Sequence, residues 1–157
     1  MSPKGSGLHT ATDATLTASR ALLGVVARSV ASALEVVTLP QFRVLVVLSS
    51  QGPLRTGTLA ERLGVNPSTF SRSLDRMVAS GWVHRVPNPD SRREVIIDLT
   101  DGGRRLVATV TKRRRDEFRA ILAHLSPDDQ ETIRRAFELF NTAAGEPTAE
   151  DLLTLGL

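Results

Sequence analysis

Between residues 82 and 100, two short runs with alternating apolar residues flank a charged tip, Asn88-Pro89-Asp90-Ser91-Arg92-Arg93. Alternation with a period of two marks a half-buried strand. In the return run Val95, Ile97 and Leu99 fall on one face and Glu94 and Asp98 on the other, with Ile96 an apolar exception on the outer face. Pro-Asp-Ser is a common turn sequence. The segment therefore predicts a β-hairpin with arginines at its point. Arg92 and Arg93 have little to pack against in their own domain. A narrow, strongly negative DNA groove attracts such a side chain, and a solvated turn is the plainer alternative.

What precedes the hairpin limits the fold further. Residues 56–63 predict a short helix, with Thr58 and Glu61 spaced as a capping box and Thr56 as an alternative cap. Gly64 ends it, since glycine tolerates the positive φ found just past a helix. Asn66 then reads as an N-cap and Pro67 as the first helical residue. Phe70, Leu74 and Met77 follow at core-face spacing, and Gly81 stops this helix. Two helices joined by Gly64-Val65-Asn66, with Val65 expected to be tucked inside, make a helix-turn-helix. Trp82 reads as a core anchor for the hairpin.

The flanks read as helical. Residues 14–37 carry a wide apolar stripe through Leu23, Val26, Val30, Ala33 and Val37, hard to solvate and suited to burial against a second subunit. Leu39-Pro40 opens a helix that closes around Gly52. After Thr100 a long helix is expected to run to about His124, a span of about 36 Å. Its middle, residues 112–117, is wholly charged and reads as a solvated waist between two lobes. Ser126-Pro127-Asp128-Asp129 restarts a helix whose apolar face holds Ile133, Ala136, Phe137 and Phe140. Residues 148–155 could add a last turn. The organisation expected is a disordered arm at 1–12, a dimerisation helix at 13–37, a DNA-binding unit at 38–103, and linking and dimerisation helices at 104–157.

Charge sharpens this organisation. The net charge is +3, yet residues 41–115 hold 14 Lys/Arg against 6 Asp/Glu, and the remainder 6 against 11. A basic middle between acidic ends suits a nucleic-acid-facing segment. The chain contains no cysteine, which excludes disulfides and thiolate zinc sites and fits a cytoplasmic protein. There is no apolar run of spanning length, and residues 1–10 lack the apolar centre of a secretory signal. No catalytic or phosphate-binding fingerprint appears, and His9, His84 and His124 lie in unrelated elements. The expectation is therefore no enzyme, no metal and no cofactor.

Reading base edges needs short polar side chains at the exposed start of a helix. Pro67, Ser68, Thr69, Ser71, Arg72 and Arg76 are the candidates in the second helix, although Ser68 and Thr69 are also good first-turn residues. Arg72 can reach a guanine edge with two donors. Asp90, Arg92 and Arg93 are the candidates in the hairpin, with Asp90 able to hold Arg92 extended. His84 and Arg85 can touch backbone phosphates or simply be exposed.

These residues resemble the MarR (multiple antibiotic resistance regulator) family. The resemblance runs from Leu39-Pro40-Gln41-Phe42-Arg43 through Leu59-Ala60-Glu61-Arg62-Leu63-Gly64-Val65 and Ser68-Thr69-Phe70-Ser71-Arg72. It continues through Asp75-Arg76-Met77 and Gly81-Trp82-Val83 to Asp90-Ser91-Arg92-Arg93, Leu99-Thr100 and Gly103. It implies a mainly α fold with a small β-hairpin wing, a winged helix-turn-helix with N- and C-terminal dimerisation helices. It implies a homodimer on double-stranded DNA, with two lobes about 34 Å apart on a palindrome-like operator. It also implies repression relieved by a small aromatic or phenolic effector held between the dimerisation helices and the DNA lobe. Family members that sense peroxide through cysteine are excluded. The alternative is a winged-helix protein-interaction module without specific DNA binding.

Overall fold

The computed structural model describes residues 4–88 and 91–145, with residues 4–6 and 91–93 described by their backbone alone. Helix α1 (Lys4–Ala31) is followed by a 3-10 turn at Ala33–Glu35 and α2 (Leu39–Gln51). Strand β1 (Leu54–Arg55) leads into α3 (Thr56–Leu63) and α4 (Pro67–Ala79). Strands β2 (Val83–Asn88) and β3 (Ser91–Leu99) form the hairpin, and α5 (Asp101–Leu122) and α6 (Pro127–Ala144) complete the described chain.

The sheet is antiparallel in the order β1-β3-β2. Val83 pairs with Leu99, Arg85 with Ile97 and Pro87 with Val95, and the register slips between Pro87 and Asn88. The sequence reading missed β1 because a two-residue strand has no periodicity. It exists because Leu54 finds Ile97 across the ladder. Val83, Ile97 and Leu99 are buried, whereas Val95, nearer the tip, is 41% exposed.

One core joins these elements. Leu45 and Leu48 of α2, Leu59 of α3, Leu74 and Met77 of α4, Ile97 and Leu99 of β3 and Val110 of α5 are all at most 2% exposed. Trp82 packs against this cluster. Beside it a Cβ on Gly103 would lie 2.4 Å from the Trp82 carbonyl oxygen, so only glycine lets α5 start this close to the wing.

Several boundaries differ from the sequence expectation. Residues 4–12, read as part of a disordered arm, are helical, and α1 ends at Ala31 rather than running to residue 37. Thr12 and Thr15 are accommodated within it, their hydroxyls donating back to the Leu8 and Ala11 carbonyls, both at 2.8 Å. The capping box sits at α2, where Thr38 and Gln41 cap each other. Neither Thr56 nor Thr58 caps α3, whose N-cap is Arg55 with no side-chain bond. Val65 is 40% exposed rather than tucked inside, because it faces an open cleft between α2 and α4. The expected turn at 148–155 lies outside the described residues.

The charged waist of α5 is also no bare spacer. Arg113 donates to Ser32 Oγ, Arg114 Nε donates to the buried Ser29 Oγ at 3.3 Å, and Glu117 pairs with Arg28 at 2.9 Å. Ser29 on α1 and Ser32 just after it are small hydroxyl residues that give the two arginines room to lie across the helix end.

Candidate nucleic-acid interface

The turn before α4 is set by two residues. Gly64 takes a left-handed conformation with φ 64° and donates its N–H to the carbonyls of Ala60 and Glu61, closing α3. Asn66 Oδ1 then accepts from the Ser68 N–H at 3.0 Å and from the Ser68 hydroxyl at 2.7 Å, starting α4. Pro67 follows as the first helical residue, as its fixed φ and missing N–H favour.

Three α4 residues, Phe70, Leu74 and Met77, go into the core. Their burial turns Pro67, Ser68, Thr69, Ser71, Arg72, Asp75 and Arg76 outward, and all seven are exposed. This brings six of the sequence candidates onto one polar surface. Among the described residues neither Arg72 nor Arg76 has an ion-pair partner. Their guanidinium groups are available to a ligand. Pro67 has no N–H and Asn66 Oδ1 takes that of Ser68, so in the first turn what favours a phosphate is the positive end of the helix dipole.

The wing candidates divide. His84 is exposed on β2, opposite Asp98, whose carboxylate is held by Arg104 at 2.8 Å. Arg85 is exposed but ion-paired with Asp75 of α4, which ties the wing to the outward face of that helix. Asp90 lies outside the described residues. Arg92 and Arg93 belong to β3 by backbone and fall where the register slips, between the Asn88–Ser91 pair that closes the hairpin and the Pro87–Val95 pair below it.

The comparisons bear on this arrangement. The sequence model of the MarR family matches residues 37–95, the stretch from the start of α2 into β3. The multiple antibiotic resistance protein MarR of Salmonella typhimurium is 30% identical over 98 residues, covering 62% of this chain and 68% of that protein. The chain belongs to the MarR family. The crystal structure of RV1404 from Mycobacterium tuberculosis is 45% identical and superposes with a TM-score of 0.79, covering 86% of this chain and 92% of that one. The transcriptional regulator Tm0710 from Thermotoga maritima is 25% identical with a TM-score of 0.70, over 85% and 94% of the two chains. Curated relatives are matched over about two thirds of their own length. MarR-family proteins are DNA-binding transcriptional regulators rather than enzymes. Among the described residues no helix is long and apolar enough to cross a membrane.

Within this MarR-family lobe, three charged residues escaped the sequence reading. Glu94 Oε2 accepts from the Asn88 side-chain amide at 3.0 Å and pairs with Arg55 Nε at 3.2 Å, so one carboxylate joins β1, β2 and β3 at the neck of the wing. Asn88 is only 6% exposed, and the bond supplies one partner its buried amide needs. Asp75 is the third. No spacing rule links residue 75 to 85, or 55 to 94. Only the folded sheet makes them neighbours.

A cleft of about 460 Å³ opens between the start of α2 and α4 and shares Thr69 and Arg76 with the outward surface. Thr38, Pro40 and Arg43 of the α2 start, Val65 and Asn66 of the turn, and Thr69, Ser73 and Arg76 of α4 line it. Val65 is exposed because it faces this cleft. Two arginines stand over an apolar floor made by Val44, Leu63 and Phe70.

Proposed function

We propose that this regulator binds a palindrome-like operator as a homodimer, acts as a repressor, and is released by a small molecule. The single observation that carries the DNA reading is the outward face of α4, where the unpaired Arg72 and Arg76 flank short hydroxyl side chains at an exposed helix start. In this reading α4 enters the major groove. Pro67, Ser68, Thr69 and Ser71 make close contact, Arg72 reads base edges, and Arg76 meets the backbone. The wing reaches the adjacent minor groove through Arg92 and Arg93, with Asp90, two residues before Arg92 in the sequence, assigned to the same contact, while His84 and Arg85 meet phosphates.

The dimer is supported by apolar side chains left open at both ends of the chain. Leu8, Leu16 and Leu23 of α1 and Phe137, Leu139 and Phe140 of α6 are between 41% and 73% exposed. A second copy covering both faces removes them from water. The release step is supported by the cleft beside α4. A small aromatic acid or phenolate suits its two arginines and apolar floor, and binding there would bear directly on the first turns of α4. The assignment makes the protein cytoplasmic and nucleoid-associated.

The test is binding to duplexes selected by the wild-type chain from a randomised library. Arg72→Ala is expected to cost about 1–3 kcal/mol and to relax preference at one position in each half-site. Arg92→Ala is expected to weaken binding with less effect on base preference. If both variants bind and discriminate as the wild type does, these roles are wrong. Sedimentation of the free protein at the dimer mass checks the assembly.

A further inference from the structure

The ion pair between Asp75 and Arg85 is an unusual feature for a DNA-facing surface. Asp75 lies on the outward face of α4, three residues after Arg72, where a bare carboxylate would repel phosphate. Arg85 lies on β2 and reaches it from the wing. The contact uses one terminal nitrogen of the guanidinium and one carboxylate oxygen. A guanidinium has five N–H donors in a fixed fork, so most of the Arg85 fork remains for a second acceptor. Both side chains are about half exposed, 44% for Arg85 and 57% for Asp75, so that acceptor can approach from solvent. The pair sits between the two elements assigned to adjacent grooves, and the groove edge that separates them is a phosphate backbone.

We propose that Asp75 is a positioning residue for DNA binding, and that it holds Arg85 as a ready-ordered clamp for a backbone phosphate between the α4 and wing contacts. This inference rests on the reading of α4 and the wing as the DNA-binding face. Asp75 itself does not touch DNA. It neutralises part of the arginine's charge, fixes the long side chain in one direction, and leaves the remaining donors free. Binding then orders fewer bonds than it would for a free arginine, since the side chain is already set. The bridge carboxylate–guanidinium–phosphate leaves no bare negative charge facing the DNA. His84 and the Arg104-bound Asp98 lie on the neighbouring pair of the ladder, and among the described residues Asp75 is the acid that Arg85 pairs with.

The salt dependence of binding separates this role from a merely structural one. Each phosphate contact adds a counterion-release increment to the slope of log K against log salt. Fluorescence anisotropy with a library-selected duplex and with an unrelated duplex, between about 50 and 200 mM KCl, gives that slope. Asp75→Asn is expected to weaken both complexes about threefold to tenfold and to flatten the slope by about 1 per bound protomer, as a lost phosphate contact does. Arg85→Gln should do the same, the double variant no more than either, and Asp75→Glu should restore most of the loss.

A tighter complex for Asp75→Asn would overturn the proposal, because Asp75 would then only repel phosphate. Weaker binding with an unchanged slope, or a lowered Tm with normal binding, would also overturn it, because the pair would then only hold the fold. Arg72→Ala, run alongside, keeps the two readings apart. If that variant binds and discriminates normally, the α4 reading has failed. If it loses discrimination while Asp75→Asn binds as the wild type does, only the clamp has failed.

Discussion

The lobe formed by α2 to β3 and the first half of α5 closes on itself, whereas the two terminal helices do not. The lobe keeps Leu45, Leu48, Leu59, Met77 and Ile97 entirely out of water. In α6 no residue is buried, and Leu139 is 73% exposed. Both regions contain amphipathic helices with sound N-caps, at Asn66 for α4 and Ser126 for α6. The difference lies in what the apolar face meets. Local signals start a helix, but burial decides whether it is held. The lobe is therefore expected to be stable alone, and the terminal helices to depend on a partner.

The strongest way to break this contrast is to hollow each region in turn. Leu48→Ala is expected to lower unfolding stability by about 2–5 kcal/mol, because it removes methyl groups from a fully packed site and leaves a cavity. The loss should not depend on protein concentration. Truncation of the exposed Leu139 or Phe140 to alanine leaves no cavity in the single chain. Its expected effect is a weaker dimer, visible as a Tm that falls with dilution more steeply than in the wild type. Equal, concentration-independent losses at Leu48 and Leu139 would show that the terminal helices do not rely on a second copy.

A second, smaller test concerns the junction where the lobe hands over to α5. Gly103→Ala places a Cβ against the Trp82 carbonyl oxygen and the Leu99 side chain, at 2.4 and 3.1 Å. The nearest neighbour is backbone, so it cannot step aside by changing rotamer. The expected cost is about 1–3 kcal/mol, typical of overpacking, measured by denaturant unfolding. Gly102, one residue earlier, meets nothing nearer than 3.5 Å, so Gly102→Ala is the matched control and should cost much less. Similar losses at the two positions would mean that α5 does not start against the wing in this way.

The same contrast explains what could be read from the sequence. Elements set by local chemistry were legible: the Asn66-Pro67 start, the core positions Phe70, Leu74 and Met77, the hairpin alternation and the Ser126 restart. The polar face of α4 followed, since burying three residues of a helix exposes the others. Contacts between distant segments were not legible. The strand Leu54–Arg55 has no pattern, the Arg114–Ser29 seam joins residues 85 apart in sequence, and the Asp75–Arg85 and Arg55–Glu94 pairs exist only once the sheet forms. Val65 shows the converse error. An apolar residue in a helix-turn-helix turn suggests burial, but here Val65 faces an open cleft beside α4.

The smallest expected effect is electrostatic and belongs to the helices outside the lobe. The Lys112 ammonium, 2.5 Å from Asp116, holds the Asp116 carboxyl below its ordinary 3.8. The Arg134 guanidinium does the same for Glu131, ordinarily 4.5. A carboxylate whose pKa is depressed by folding contributes stability that is complete above its unfolded pKa and lost as pH falls through the folded one. Both pairs should therefore contribute fully above about pH 5 and fade below about pH 4. Both sites are open to solvent, so the contribution is small and screened by salt. The measurement is Tm against pH for the wild type and for Lys112→Met and Arg134→Met. The variants should lose a little stability at neutral pH and converge with the wild type in acid. A gap that stays constant with pH would mean that the two side chains act through packing of their stems, and that the terminal helices, like the lobe, are held by apolar contact alone.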